Sequence, residues 1–456
     1  MKKILRVSLT AFLVGVLFCV CFVTTAAAKT TSGKIDGGFT WTLDDQTGEL
    51  TLSGNGDMGE DAFEEFQQKV LIPNKYDIKN IVIAKDIAQI YGASRYLNTT
   101  VLPNLQTLIH KLSDEFSWEK NFNTSVMTIK GKGKCPDLML ESYLSMYRWP
   151  TVKIDNGITS LGRNYIVPDH LIVGKDCTDI LGVSVEKSYQ IDPENPTYAS
   201  YDGCLYTKNY TKLIRTYRQS RTPQFHPNLA IIEEEAFQMT DSQNNFEIVI
   251  PWGVTAIEGK LFEESGISGG PNCRVILPET LLNWNGESGG GGWKDITFLF
   301  QEGSQVFKSK YGTGEQYQSM PKEEYNAIYG ITPNSLKTFQ NGKTYYFDQN
   351  CKMAKGWKQA SGNWYYFNDY GAAVVKIWLK SGNKWYFMQA DGTMATNKWI
   401  QWYNKWYYVG SDGAMYANRW IKSSGKWYYL GSDGAMYTNR YTPDGYWVNG
   451  SGVWAQ

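Results

Sequence analysis

Histidine is scarce in this 456-residue chain: His110, His170 and His226 are the only three. No CxxC or HExxH spacing occurs, so neither a zinc centre nor a zinc-protease helix is expected. Seven cysteines are present, and Cys19 and Cys21 lie within the first 28 residues. The other five, Cys135, Cys177, Cys204, Cys273 and Cys351, are odd in number and widely spread, which excludes a disulfide framework. No apolar run after residue 28 reaches the length of a membrane span. No Arg-rich run appears, and residues 29–336 carry 28 Lys and Arg against 39 acidic groups, which excludes a nucleic-acid partner there. Glutamate is missing altogether from residue 337 onward, where 14 Lys and Arg face 6 Asp. The formally neutral chain therefore ends in a tail of about +8, suited to anionic polymers.

The first residues do have a pattern. Lys2, Lys3 and Arg6 precede an apolar stretch from Ala11 to Val23, followed by the small residues Thr24-Thr25-Ala26-Ala27-Ala28. This reads as a signal peptide over 1–28 cleaved after Ala28, leaving a secreted protein with no transmembrane segment. Leu17-Phe18 before Cys19 argues against a lipid anchor, since small residues would be needed there.

The tail has a strict internal period. Trp357, Trp378, Trp399 and Trp420 are 21 residues apart, and a second Trp follows each by seven, at Trp364, Trp385, Trp406 and Trp427. Gly371, Gly392, Gly413 and Gly434 repeat in step, with Met394, Met415 and Met436 two positions beyond the last three. A partial unit, Tyr345-Tyr346-Phe347 with Met353, precedes them. Aromatic triplets flanked by Gly-Asn, Gly-Lys or Asp-Gly read as β-hairpins, because rings fit a pleated surface and Gly supplies the turn. One such hairpin cannot bury its own aromatic face, so the units are expected to stack. Strand alternation sends Trp364 and Tyr366 to one face and Tyr365 and Phe367 to the other, one set for a core and the other for grooves.

The pattern Gly-Trp, then Gly-x-Trp-Tyr-Tyr-Phe, then Gly-x-Met, running from Gly356 to Asn439, resembles the choline-binding repeats of Gram-positive surface proteins and autolysins. The resemblance implies a choline headgroup between consecutive hairpins, caged by two Trp of one repeat and an aromatic of the next. By position it implies cages of Trp357, Trp364 and Phe387; of Trp378, Trp385 and Tyr408; and of Trp399, Trp406 and Tyr429. Trp420 and Trp427 would begin a fourth, where Tyr446-Trp447-Val448 departs from the triplet. A quaternary ammonium has no N–H to donate, so ring faces rather than hydrogen bonds must recognise it. Each face contributes ~0.5–2 kcal/mol, giving about millimolar affinity per cage. The implied partner is choline of teichoic or lipoteichoic acid in the cell wall. Similar aromatic repeats in glucan-binding domains and clostridial toxins stack on sugars instead.

Residues 61–311 carry a looser repeat. Ile81-Val82-Ile83 with Ile87 and Ile90 matches Ile248-Val249-Ile250 with Val254 and Ile257 at identical offsets. Val152, Ile154, Ile158 and Leu161 follow nearly the same rule, as do Ile172, Val173, Cys177 and Ile180, and Ala236-Phe237 recurs as Leu261-Phe262. Short strand, turn and buried Phe at this interval indicate a leucine-rich-repeat solenoid. It resembles the BspA-type repeats of bacterial surface antigens, with residues 29–60 as an N-terminal β-hairpin cap and Asn195–Tyr206 as an inserted hairpin. Leu105–Pro150 fits the repeat poorly. Residues 312–336, polar and holding Pro321 and Pro333, are read as a linker to the tail at 337–456. The expected fold is mainly β: a leucine-rich-repeat solenoid followed by an aromatic β-hairpin solenoid.

No catalytic constellation is found, and no metal ligand set or cofactor is expected. Gly266-Ile267-Ser268-Gly269-Gly270 has the spacing of a serine-hydrolase elbow, but Gly269-Gly270-Pro271 cannot open the helix that motif needs. Leu277-Pro278-Glu279-Thr280 resembles a sortase sorting signal, without the apolar tail and basic end that would follow one. Glu233-Glu234-Glu235 reads as a solvated helix start. The expected protein is a non-enzymatic, adhesin-like surface protein whose solenoid meets an unnamed protein or glycan partner. A wall-modifying enzyme and a glucan binder are the rival readings.

Overall fold

The computed structural model describes residues 29–91, 93–135, 150–162, 167–180, 183–220, 222–237, 245–262, 272–284, 296–302 and 317–455. The signal peptide expected at 1–28 and the elbow-like Gly266–Gly270 lie outside them. The architecture is mainly β, and the chain divides into two compact units. The first takes the described residues up to Asp114 together with Glu119–Asn123; the second takes Glu115–Trp118 and the described residues from Thr124 on.

The first unit opens with three antiparallel strands, Thr30–Ile35, Phe39–Asp44 and Glu49–Ser53. The Asp44 carboxylate accepts from the backbone N–H of Gln46 and Thr47, at 2.8 and 2.9 Å, and so closes the turn between the last two. Glu49–Ser53 then pairs in parallel with Asn80–Ile83, which pairs in parallel with Thr107–Lys111. Leu50, Leu52, Ile81 and Ile83 all point inward and are buried, the alternation that a one-sided sheet demands.

The second unit repeats the parallel arrangement. Val126–Lys130, Thr151–Ile154, His170–Val173 and Ser188–Ile191 form one ladder without register shifts. Asn245–Val249, Asn272–Ile276, Ile296–Gln301 and Tyr317–Met320 form another. The repeat positions expected inward are buried: Ile248, Ile250, Val254 and Ile257 on one rung, and Val152, Ile154, Ile158 and Leu161 on another. Phe237 and Phe262 bridge in parallel, their rings 5.4 Å apart. The hairpin expected after Asn195 is present as Tyr198–Tyr201 against Cys204–Thr207. Buried Asn195 anchors it, donating to the carbonyls of Gly174 and Cys177 and accepting from the N–H of Thr197 and Tyr198. Cys135, Cys177, Cys204, Cys273 and Cys351 are all buried, and the last four are free thiols. Burial pushes the thiols of Cys177 and Cys204 up to about 11 and about 12, so both behave as apolar core.

Two stretches differ from the sequence reading, and a third agrees with it. Glu233-Glu234-Glu235 forms a turn rather than a helix start, with Glu235 at φ 54°. Leu277 and Thr280 are buried, and the Thr280 hydroxyl accepts from Gly253 N–H and donates to Val254 C=O, so the tetrapeptide set aside as a sorting signal is part of the repeat. The described part of the 312–336 linker is built into the core: Tyr317–Met320 joins the parallel ladder and Lys322–Tyr329 is a helix. Pro321 starts that helix and Gly330, at φ 59°, ends it. Tyr325 and Tyr329, four residues apart on one helix face, are buried and donate to the carbonyls of Leu277 and Ile250. Polar neighbours concealed this apolar face in the sequence. Trp252 stacks on Phe339 at 4.9 Å and 9°, so the ladder and the first aromatic hairpin share a core.

Among the described residues, no helix is long and apolar enough to cross a membrane.

Candidate functional site: grooves between aromatic hairpins

Six antiparallel hairpins follow one another: Ser335–Thr338 with Thr344–Phe347, Gly356–Ala360 with Asn363–Phe367, Ile377–Ser381 with Lys384–Met388, Lys398–Trp402 with Lys405–Val409, Arg419–Ser423 with Lys426–Leu430, and Arg440–Tyr441 with Trp447–Val448. The tight turns of the second, fourth and fifth hairpins have positive φ at both central residues, Ser361-Gly362, Tyr403-Asn404 and Ser424-Gly425. Backbone bonds lace each hairpin to the loop beyond the next: Met394, Met415 and Met436 donate N–H to the carbonyls of Trp364, Trp385 and Trp406 at 2.7–2.8 Å. The repeating glycine leaves room for the methionine of the preceding unit. A Cβ on Gly413, itself at φ 76°, would lie 2.6 Å from Met394 Sδ.

Each hairpin has two unlike faces. On one, Tyr365 and Phe367 are buried, as alternation requires. On the other, Trp364 is 42% exposed, and Trp385, Trp406 and Trp427 are exposed to nearly the same degree. Leaving a ring this large half-exposed at four equivalent positions serves no core, since each leaves apolar surface in water. The first interface is closed instead, because Leu336 and Tyr346 stand on that face and pack with Tyr365 and Phe367.

In the first groove, between the second and third hairpins, Trp357 and Trp364 meet edge-to-face at 6.3 Å. The ring brought in from the next hairpin is Tyr386, 5.1 Å from Trp357, and not Phe387. Phe387 lies opposite Trp378 within its own hairpin, at 5.2 Å. The same correction applies along the array. Trp378 receives Tyr407 at 5.4 Å and Trp399 receives Tyr428 at 5.1 Å, whereas Tyr408 and Tyr429 pair inside their own hairpins with Trp399 and Trp420. Residues two apart on a strand share a face, so the ring presented to the preceding hairpin is the middle one of the triplet. The third groove repeats the first, with Trp399 and Trp406 at 6.4 Å and 88°. In the fourth, Trp420 lies 6.0 Å from Tyr446 of the atypical last hairpin, with exposed Trp427 on the same face.

In three of the four grooves the deeper indole is pinned by its N–H. Trp357 donates to Ser381 Oγ at 3.0 Å, Trp399 to Ser423 Oγ at 3.1 Å and Trp420 to Asp444 Oδ2 at 2.8 Å. These acceptors sit on the following hairpin and were not singled out in the sequence, although their spacing of 42 and 21 residues was there to find. Exposed ion pairs Lys384–Asp412 and Lys405–Asp433 join successive hairpins, and the Lys384 ammonium holds the Asp412 carboxyl below its usual range. A cavity of about 260 Å³ beside Trp406 is lined by Met436, Lys405, Asp433 and Arg440. A larger cleft of about 500 Å³, lined by His226, Trp252, Lys337 and Phe339, contains none of the exposed indoles.

Two or three ring faces at right angles around a shallow, half-exposed space are suited to a compact cation without N–H donors. Family comparison agrees. Residues 335–378 and 414–454 match two models of choline-binding repeats, and residues 377–394 and 397–415 match a model of cell wall binding repeats. The C-terminal part of the chain therefore consists of choline-binding repeats.

Among solved structures, choline binding protein F from Streptococcus pneumoniae, crystallised with a peptidoglycan analogue, is 41% identical over 27% of this chain and 40% of its own, with a TM-score of 0.24. CbpJ from the same organism is 38% identical over 28% of this chain and 43% of its own, with a TM-score of 0.25. The modular autolysin LytC is 30% identical over 27% of this chain and 28% of its own, also at 0.25. The chain thus spans less than half the length of these relatives. No curated protein matches it.

Proposed function

We propose that this protein is a secreted, non-enzymatic surface protein that docks through its C-terminal grooves to the choline of teichoic and lipoteichoic acid, and presents its N-terminal parallel ladders to a protein or glycan partner. The observation that carries this reading is the row of half-exposed indoles, each sharing a hairpin face with a deeper indole that meets a tyrosine of the next hairpin. Millimolar single sites suffice, because several cages on one polymer strand bind with an effective concentration set by their spacing. The excess of basic residues in the tail supports it, since the wall polymers are anionic.

The ladders support a leucine-rich-repeat reading of the BspA kind: parallel strands at intervals of about 20–30 residues, with inward Ile, Val and Leu at fixed offsets. Such a surface is extended and suited to adhesion, and the chemistry of its partner is not written in the repeat.

The test is retention of the full secreted chain on choline-bearing cell walls and its release by free choline. Binding to walls stripped of choline, or release by glucan, would replace the ligand with a sugar. Release of muropeptides from the walls would replace the binding protein with an enzyme.

A further inference from the structure

The four grooves differ at one position. The residue paired directly opposite the exposed indole, and hence on the same face, is Gln359 for Trp364 and Gln401 for Trp406, but Lys380 for Trp385 and Lys422 for Trp427. The two lysines lay their ammonium groups over those indoles, at 6.0 Å for Lys380 and 5.8 Å for Lys422. The glutamines bring no charge, and in their grooves the two indoles stand edge-to-face at 6.3 and 6.4 Å. The array therefore alternates over 42 residues while its tryptophans repeat every 21.

We propose that the grooves are of two kinds: the first and third, opposite Gln359 and Gln401, take a quaternary ammonium, whereas Lys380 and Lys422 hold it off the second and fourth with a cation of the protein's own. This rests on reading the array as choline-binding. A ring face already facing an ammonium attracts a second cation less, and two positive charges about 6 Å apart repel. The repulsion weakens binding between roughly threefold in a water-like setting and a hundredfold where the rings exclude water. Salt screens it, so the contrast between grooves shrinks as ionic strength rises.

The second groove carries a further obstacle. The position occupied by Ser381 and Ser423 in its neighbours is Trp402, whose ring packs on Phe387 at 5.5 Å. With no hydroxyl there, Trp378 Nε1 is buried without a hydrogen-bond partner among the described residues. Lys380 and Trp402 together close this groove, while Lys422 alone guards the fourth, where Asp444 keeps Trp420 anchored.

Calorimetric titration of the full chain with choline chloride, which carries no phosphate for a lysine to hold, reads the stoichiometry directly. The expected result is two strong equivalents. Gln359→Lys and Gln401→Lys each remove one, Lys422→Gln adds a third, Lys380→Gln alone adds none, and Lys380→Gln with Trp402→Ser adds one. All the single changes are at exposed positions, and an unchanged aromatic circular dichroism spectrum checks the fold. Four equal sites in the unaltered chain, or no effect of Gln401→Lys, would overturn the alternation and leave choline binding standing. No heat at any choline concentration would overturn both.

Discussion

Trp357 on one hairpin gives its indole N–H to Ser381 on the next, at 3.0 Å, and receives Tyr386 from that same hairpin at 5.1 Å. A single pair of neighbours thus fixes both the orientation of the deeper ring and the far wall of the groove. The groove exists only where two repeats are stacked, which makes the ligand a property of the array rather than of one hairpin.

Removing the anchor should loosen the ring without unmaking the stack. A neutral hydrogen bond is worth about 1 kcal/mol. Ser381→Ala or Ser423→Ala is therefore expected to weaken choline at the corresponding groove roughly fivefold, with the thermal midpoint nearly unchanged. Calorimetry on each variant checks this, and a loss of stability in place of affinity would show that the bond serves the fold.

The two aromatic faces should separate stability from binding. Phe367 is buried at 1% exposure, and Phe367→Ala is expected to cost about 3–5 kcal/mol by leaving a cavity. Trp406, at 40% exposure, should cost well under half of that on truncation while its groove loses its ligand. Denaturant midpoints set beside choline affinities distinguish the two.

The helix Lys322–Tyr329 should behave as core. Tyr329→Ala removes a buried ring that donates to Ile250 C=O at 2.8 Å, and is expected to cost about 3–5 kcal/mol. A true linker would tolerate the change, so near-neutral unfolding data would contradict the packing described above.

Glu279 supplies a pH signature. Burial pushes its carboxyl up to about 7, against the pull of Lys352 and Lys322. A carboxyl raised in the folded state contributes stability below its ordinary value of 4.5 that is lost as pH rises through about 7. The difference between Glu279→Gln and the unaltered chain should therefore shift in favour of the variant between pH 4.5 and 7, by about 3 kcal/mol at most. Urea midpoints across that range check the sign.

Much of this was legible beforehand, for identifiable reasons. Trp spacing of 21 residues exposes the hairpins because turns and rings must recur together in a stack. The buried ladder positions showed through their offsets, as in Ile248, Ile250 and Val254. The third ring of each groove was misplaced by one residue: sequence position marks the triplet, but strand parity decides that Tyr386 faces the previous hairpin and Phe387 does not. The serine anchors lay across the stack from their tryptophans, a relationship visible only once the hairpins are docked. Tyr325 and Tyr329 were hidden because two residues make a thin apolar stripe among Lys, Glu and Asn.

The central claim is tested most directly by Trp fluorescence of the full chain titrated with choline. The expected result is saturable quenching at about millimolar choline, reduced in a Trp399→Ala/Trp406→Ala variant that still unfolds cooperatively. No response to choline, with quenching by a glucan oligosaccharide instead, would contradict it.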